Sequence, residues 1–215
     1  MTELPGTSAA RGNGRPWWDW TLRMVTRDFQ PALGYNTDQN SVGDEFDYGV
    51  QTRYEKGRIE ARGWGVNTGY FPYLHGGGVL HAYLSPYCSW RWRRGRSLSV
   101  GITRARQYDQ DSSDLHVSYG WNTRDMYRMG YLFALDGTRA GGDYHYLAIG
   151  QGFHPKRNLS VNPGEEYSHL APPSPGTYHA YQTVLTASYD LTAERCISAR
   201  FVARDGGVNV FATYR

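Results

Sequence analysis

Two groups of residues in the sequence could hold a metal ion. His75 and His81 flank a run of three glycines, and Asp143 stands two residues before His145. Imidazole and carboxylate groups are common ligands of divalent transition metals. The spacing of both groups is generic, however, and the two cysteines form no closely spaced pair. The sequence therefore predicts no metal site and no cofactor.

Serine-based catalysis is a second chemistry that these residue types allow. Serines recur on the polar sides of alternating segments, and the chain also has seven histidines. A Ser/His/acid triad in a barrel would give a membrane-embedded hydrolase, as in phospholipase barrels. No Gly-x-Ser-x-Gly turn or other local sign of an activated serine occurs. The sequence favours a protein without catalytic residues and keeps the hydrolase as an alternative.

Arginine carries almost all of the positive charge. The formal net charge is +3, and only two of the 23 Lys and Arg residues are lysines. The arginines are scattered along the chain, which argues against a nucleic-acid partner. Alternation predicts that some charged residues point into an enclosed lumen, and these candidates are Arg23, Arg27, Asp47, Arg53, Arg91 and Arg128. They could tune a pore or pair with one another, and limited interior space favours pairing.

Residue type alternates at every second position through most of the chain. Successive side chains of a β-strand point to opposite sides, so this alternation predicts strands with one apolar and one polar face. No run approaches the roughly 20 apolar residues of a membrane helix. The predicted apolar faces comprise Phe46, Tyr48, Val50 and Tyr54; the even positions from Leu80 to Trp92; Leu98, Val100 and Ile102; Leu115, Val117, Tyr119 and Trp121; Tyr127, Met129, Tyr131, Phe133 and Leu135; and Val208, Val210, Ala212 and Tyr214.

Three further features distinguish membrane strands from the core of a soluble sandwich, which shows the same alternation. Several runs reach about 9–13 residues, whereas soluble strands average about 5–6. Trp and Tyr recur near the run ends, where an interfacial girdle would lie. Predicted short turns also alternate with longer connections, as in outer-membrane barrels. The short turns are residues 55–57, 93–95, 122–124, 154–156 and 191–193, and the long connections are 29–45, 71–77, 105–113, 136–142 and 162–176, with a late exception in the hairpin signal at 205–207.

Two stretches of the sequence carry a resemblance to a known family. They are residues 27–35, Arg-Asp-Phe-Gln-Pro-Ala-Leu-Gly-Tyr, and residues 203–210, Ala-Arg-Asp-Gly-Gly-Val-Asn-Val. They resemble the C-terminal outer-membrane-type β-barrel domain of uncharacterised bacterial proteins with a carbohydrate-binding family-9-like domain at the N-terminus. The resemblance implies that the chain is the C-terminal part of a longer protein, and it implies no catalytic residues and no substrate.

The most specific part of the resemblance lies in a predicted loop after the first strand. Its residues are Asp28, Phe29, Pro31 and Gly34. Pro31 and Gly34 favour a simple turn, because proline fixes φ and glycine tolerates unusual backbone angles. A ligand-binding or gating loop is the alternative interpretation.

Together these observations predict an all-β fold, an antiparallel up-and-down meander of about twelve strands that forms a transmembrane β-barrel or a partial barrel. Residues 1–16 are predicted to be a disordered or linker N-terminus, and residues 17–215 the barrel domain. The predicted protein lies in the outer membrane of a Gram-negative bacterium, in contact with its lipids, as a porin-like narrow pore or a surface-binding barrel for small solutes or carbohydrate. The alternatives are the membrane-embedded hydrolase and a soluble β-sandwich or carbohydrate-binding module.

Overall fold

The computed structural model describes most of the chain and consists of β-strands joined by turns. The described residues are 2–5, 13–25, 41–74, 77–107, 110–125, 128–139, 141–156, 158–171, 177–192, 195–204 and 207–214. The strands are β1 (Thr2–Pro5), β2 (Pro16–Val25), β3 (Ser41–Arg53), β4 (Ile59–Pro72), β5 (Val79–Trp92), β6 (Arg96–Gln107), β7 (Gln110–Trp121), β8 (Gly130–Arg139), β9 (Gly142–Gln151), β10 (Phe153–Lys156), β11 (Leu159–Ala171), β12 (Tyr178–Asp190), β13 (Cys196–Arg204) and β14 (Gly207–Tyr214). In these ranges no helix is long and apolar enough to cross a membrane.

Thirteen of the strands form one antiparallel sheet in the order of the sequence, and the short β10 pairs beside the path with β11. The predicted all-β antiparallel meander is therefore confirmed, with thirteen strands in the path where about twelve were predicted. β1 lies within the predicted linker at residues 1–16 and pairs with β2. Within the described residues β1 and β14 do not pair with each other, so the sheet is open.

The connections do not follow the predicted short and long order. Gln107 pairs with Gln110 and Arg139 with Gly142, so two residues join strands where long connections were predicted. Conversely, residues 122–129 separate β7 from β8 where a short turn was predicted. The predicted turn at 154–156 belongs to β10. The reason is that Ser, Thr and Asp at the strand ends resemble loop residues by composition but continue the hydrogen-bonded ladder.

The register gives every strand two distinct faces, because directly opposed residues of antiparallel strands share a face. One row across β3 to β12 contains only apolar or aromatic residues and cysteine, and we call its side of the sheet the apolar face. This row is Val50, Trp64, Cys88, Val100, Val117, Ala134, Leu147, Tyr167 and Tyr181. The opposite side is the polar face, and its adjacent row is Gly49, Gly65, Tyr87, Gly101, His116, Leu135, Tyr146, Ser168 and Ala180.

Strand β8 reverses the predicted assignment of faces. Tyr131, Phe133 and Leu135 were predicted on the apolar face, but Tyr131 pairs with Gly120 and Gly150 and lies on the polar face with the other two. Leu132 and Ala134 occupy the apolar face instead. The cause is that residues 131–135 are apolar at every position, so alternation does not distinguish the two sides.

The polar face is the more buried one. Four of the five buried apolar side chains belong to it, namely Trp17, Ala61, Phe71 and Ala148, and the fifth, Leu80, lies beside an irregularity at the start of β5. A single sheet has no second layer, so side chains can be buried only by neighbours on the same face. The polar face is therefore crowded by side chains of neighbouring strands.

Candidate functional site

Four of the predicted lumen residues lie on the polar face. Arg23 pairs with Gly43, Asp47 with Asn67, and Arg53 and Arg91 both pair with Ala61. All four therefore share one face of the sheet, as alternation predicted, and their position in a lumen stays a prediction. The sheet brings Arg53 and Arg91 into one row and leaves Arg23 and Asp47 farther along β2 and β3.

Arg128 differs from the other candidates because it lies in the connection before β8. Its backbone carbonyl accepts a hydrogen bond from Asn122 Nδ2 at 3.2 Å and one from Gln151 Nε2 at 2.7 Å. The residue is exposed and belongs to neither face of a strand. The remaining predicted residues, Arg27, Asp28, Phe29, Pro31 and Gly34, lie outside the described residues.

Arg23 has neighbours that offset its charge. Its Nη2 lies 3.9 Å from Glu45 Oε2, and both side chains are about one third exposed. The guanidinium carbon also lies 5.8 Å from the centroid of the Phe71 ring, within the range of cation–π attraction. This arrangement fits an interior in which charges pair off better than one with a ring of free charges.

Aromatic rings on the polar face lie over glycines of neighbouring strands. A Cβ added at Gly65 would stand 2.7 Å from Tyr87 Oη, and one added at Gly150 would stand 2.6 Å from a ring carbon of Tyr131. Both distances are too short for real side chains. Glycine is therefore needed at these positions so that the rings can lie across the strands, and the rings fill part of the polar face.

Hydroxyl groups and imidazoles on the polar face form local contacts. Ser85 Oγ and Thr103 Oγ1 are 3.0 Å apart on β5 and β6. His116 Nδ1 lies 3.5 Å from Asp114 Oδ1, and the side chains of both residues are largely buried. In the described part of the chain no serine hydroxyl is in hydrogen-bond contact with His116. The geometry thus supplies a histidine–carboxylate pair without a serine nucleophile.

A row of histidines on the side of the apolar face was not predicted from the sequence. His145, His169 and His179 are direct partners on β9, β11 and β12, and Asp136 pairs with His145. The ring centroids are 5.4 Å apart for His145 and His169 and 4.5 Å for His169 and His179. The His145 imidazole is also in contact with the Asp136 carboxylate. The strand register alone reveals this row, because its members are far apart in sequence.

The described members of the two groups first considered for metal binding have other neighbours. His81 stacks on Phe71, with ring centroids 6.3 Å apart, and its predicted companion His75 lies outside the described residues. Asp143 pairs with Thr138, while His145 contacts Asp136. Among the described residues no group of three or more His, Cys, Asp or Glu is arranged to hold a metal ion.

The apolar face has a limited height. On β6, Leu98, Val100 and Ile102 lie between Arg96 and Arg104 on the same face. The eight residue steps between these arginines span about 26 Å at about 3.3 Å per residue. The outward apolar band of a membrane barrel is about 25 Å tall. The apolar stretch of β6 is therefore comparable in length with such a band.

Aromatic residues mark one end of this apolar band. We call the end of the sheet at which β3, β5, β7, β9 and β12 end the turn rim. Near it, on the apolar face, lie Trp90, Trp92, Tyr119, Trp121, Tyr189 and Tyr214. Tryptophan and tyrosine prefer the membrane–water interface because their rings are apolar and carry one polar group.

No family model, no curated protein and no solved structure matches the chain. The resemblance carried by residues 27–35 and 203–210 remains a prediction.

Proposed function

We propose that the chain forms all or part of a bacterial outer-membrane β-barrel, with its apolar face against lipid and its polar face around a narrow interior. The observation that carries the proposal is the inverted exposure of the two faces. Trp64, Leu84 and Ile102 are 52%, 53% and 57% exposed on the apolar face, whereas four of the five buried apolar residues, Trp17, Ala61, Phe71 and Ala148, belong to the polar face. In lipid this distribution is favourable, and in water it is not.

A soluble β-sandwich requires a different arrangement. Two sheets of a sandwich bury their apolar faces against each other. Here the described strands form one sheet, and nothing in the described residues covers its apolar face. Contiguous apolar patches of this extent are rare on soluble monomers and mark membrane or protein contacts. The observation favours a membrane protein over a carbohydrate-binding sandwich.

The interior in this proposal is narrow. Tyr87 and Tyr131 lie over glycines of adjacent strands, and Arg23 is close to Glu45. Rings and paired charges reduce the free cross-section, so the passage would admit small solutes or sugars at most. The described structure offers no residues that select one solute over another. A surface-binding barrel without an open passage remains compatible with the same interior.

Closure of the barrel is a second element of the proposal. All eight residues of β14 are exposed, with Val208 and Val210 at 66% and 58%. A long apolar edge strand invites pairing with another strand, since its backbone groups lack partners on one side. Inside a bilayer such an edge is unfavourable, because unpaired backbone groups in hydrocarbon cost several kcal/mol each. We therefore propose that another strand covers β14 in the membrane.

The proposal is tested by folding the chain with phosphatidylcholine vesicles and with detergent micelles. The expected result is that the chain floats with the vesicles in a density gradient and resists extraction at alkaline pH. Its mobility on an unboiled gel should also shift on heating. A chain that stays in the soluble fraction as a folded monomer and shows no heat shift would contradict the proposal. A conductance measurement on the same vesicles then distinguishes an open passage from a closed barrel.

A further inference from the structure

The turn rim contains a cavity of about 660 Å³ that is rich in arginine. Its lining includes Arg58, Arg93, Arg94 and Arg96, together with Trp92 and Tyr119. Four guanidinium groups around one cavity are suited to an anion with several oxygens, because each guanidinium presents a planar set of donors.

Backbone contacts hold the cavity together. Arg93 Nε donates to the carbonyl oxygen of Gly57 at 3.0 Å, and its Nη2 donates to that of Tyr54. The Arg93 backbone N–H donates to the Arg58 carbonyl at 3.1 Å. These bonds fix the turn after β3 to the turn after β5. The guanidinium of Arg93 therefore has a structural role, and the other three arginines remain available for a ligand.

A third turn extends this framework. Gly95 adopts a φ of +70°, and its N–H donates to the Trp92 carbonyl at 3.1 Å, which closes the β5–β6 turn. The Thr123 N–H then donates to the Gly95 carbonyl at 3.0 Å. Three successive turns of the turn rim are thus joined through backbone groups. The cavity lies on a connected framework rather than on one isolated turn.

The three available arginines carry unneutralised charge. Arg58, Arg94 and Arg96 are exposed, and within the described part of the chain none of them forms an ion pair. The nearby carboxylate of Glu60 is bound to Arg124, whose Nη2 lies 2.7 Å from Glu60 Oε2. The cavity therefore has an excess of positive charge that an anionic ligand would offset.

The position of the cavity indicates what kind of anion it meets. Trp92 and Arg96 pair on the apolar face, and Tyr119 pairs with Leu98 on the same face. Beyond them toward the middle of the sheet lie Val100 and the rest of the apolar band. An anion in this cavity would thus stand next to the surface that the proposed function places against acyl chains. A free phosphate ion has no acyl chain to contact that surface.

We propose that the arginine cavity at the turn rim binds the phosphate group of an anionic phospholipid, whose acyl chains lie along the apolar face of β6 and β7. The inference rests on the proposed function, because a bilayer brings phospholipids to this position. Basic groups near a membrane surface attract anionic lipids, and aromatic rings stabilise the interfacial position. The site would anchor the turn rim at one leaflet.

The test uses the full chain folded in zwitterionic detergent and titrated with short-chain phosphatidylglycerol, short-chain phosphatidylcholine or inorganic phosphate. Native mass spectrometry counts the bound lipid. The informative variant is Arg94→Gln with Arg96→Gln, and the matched control is Arg104→Gln with Arg106→Gln, which removes the same charge from the other end of β6. Each arginine near an anionic surface contributes about fivefold in affinity, so the first variant should bind phosphatidylglycerol about 25-fold more weakly. The control should bind it as the wild type does.

Three results would overturn the inference. They are equal affinity of the wild type for the two lipids, equal loss of affinity in both double variants, and binding of inorganic phosphate as tight as that of phosphatidylglycerol. Flotation with vesicles of phosphatidylcholine alone tests the proposed function separately, because those vesicles contain no anionic lipid. A chain that inserts there but shows no preference for phosphatidylglycerol contradicts only the lipid site. A chain that never inserts contradicts both proposals.

Discussion

The two faces of β6 show the contrast on which the membrane proposal depends. One face is apolar, and the other is polar and crowded. Leu98, Val100 and Ile102 lie on the apolar face, where Ile102 is 57% exposed and the other two are half-buried. Ser97 and Ser99 alternate with them on the polar face and are also half-buried. In a soluble protein the apolar face would be the covered one. On β6 the apolar face is at least as exposed as the polar face, and the membrane proposal rests on this difference.

A charge placed on the apolar face should lower the stability of the protein more than any other change considered. Val100 lies near the middle of the band, between Cys88 and Val117. Val100→Arg is expected to lower the free energy of unfolding in vesicles by about 2–4 kcal/mol, because arginine at the bilayer midplane is costly. The measurement is urea unfolding in phosphatidylcholine vesicles.

The control for this variant is Ser99→Arg on the opposite face of the same strand. Ser99 lines a small cavity of about 110 Å³ with Gln51 and Ser118, so a polar side chain there has some room and polar neighbours. We expect a smaller loss of stability than for Val100→Arg. The reverse order would show that the polar face, and not the apolar one, is in contact with lipid.

A side chain added under an aromatic ring on the polar face should have an intermediate effect. Gly65→Val places its Cβ too close to Tyr87 Oη and to the Tyr48 carbonyl oxygen, at 2.7 and 2.6 Å. Overpacking of this kind typically costs about 1–3 kcal/mol. Thermal unfolding of the two proteins in the same detergent measures the difference. Gly207→Val serves as the control, because a Cβ at Gly207 meets no atom within 4 Å, and equal destabilisation by both variants would contradict the packing argument.

Removal of the ion pair at the turn rim should lower stability less than the changes at Val100 and Gly65. Glu60→Gln abolishes the charge partner of Arg124, which lies 2.7 Å away. The pair is accessible to water, and such pairs contribute little to stability. We expect a small decrease in the unfolding midpoint at low salt that disappears near about 1 M salt, where screening reaches about 3 Å. A large, salt-independent decrease would mean that the pair is structurally essential.

Alternation of residue type assigned side chains to the correct face in strands whose two sides differ in composition. It gave the correct face for Leu98 to Ile102 on β6 and for Leu115 to Trp121 on β7. It was wrong for Tyr131 to Leu135 on β8, where every residue is apolar and composition carries no information about side. The hairpin signal at 205–207 was confirmed, since Arg204 pairs with Gly207.

Other features depend on contacts that the sequence does not contain. The histidine row requires the register that sets His169 opposite both His145 and His179. The arginine cavity requires the turns after β3 and β5 to meet at one rim, although each turn is ordinary by composition. Local residue patterns give the period of a strand, but pairing between distant segments is fixed by the whole sheet. The position of Arg23 and Arg91 on the polar face followed from period alone and was therefore predictable.

The most direct test of the membrane proposal compares two neighbouring residues on opposite faces of β5. Cys88 lies on the apolar face and is exposed, whereas Ser89 lies on the polar face and is half-buried. A nitroxide is attached to Cys88 in the Cys196→Ser variant, and to position 89 in a variant with Cys88→Ser, Cys196→Ser and Ser89→Cys. Electron paramagnetic resonance in vesicles then measures collisions with oxygen, which concentrates in hydrocarbon, and with a water-soluble nickel complex. The account predicts that oxygen dominates at position 88 and that its advantage is lost at position 89. Dominance of the nickel complex at position 88 would contradict it.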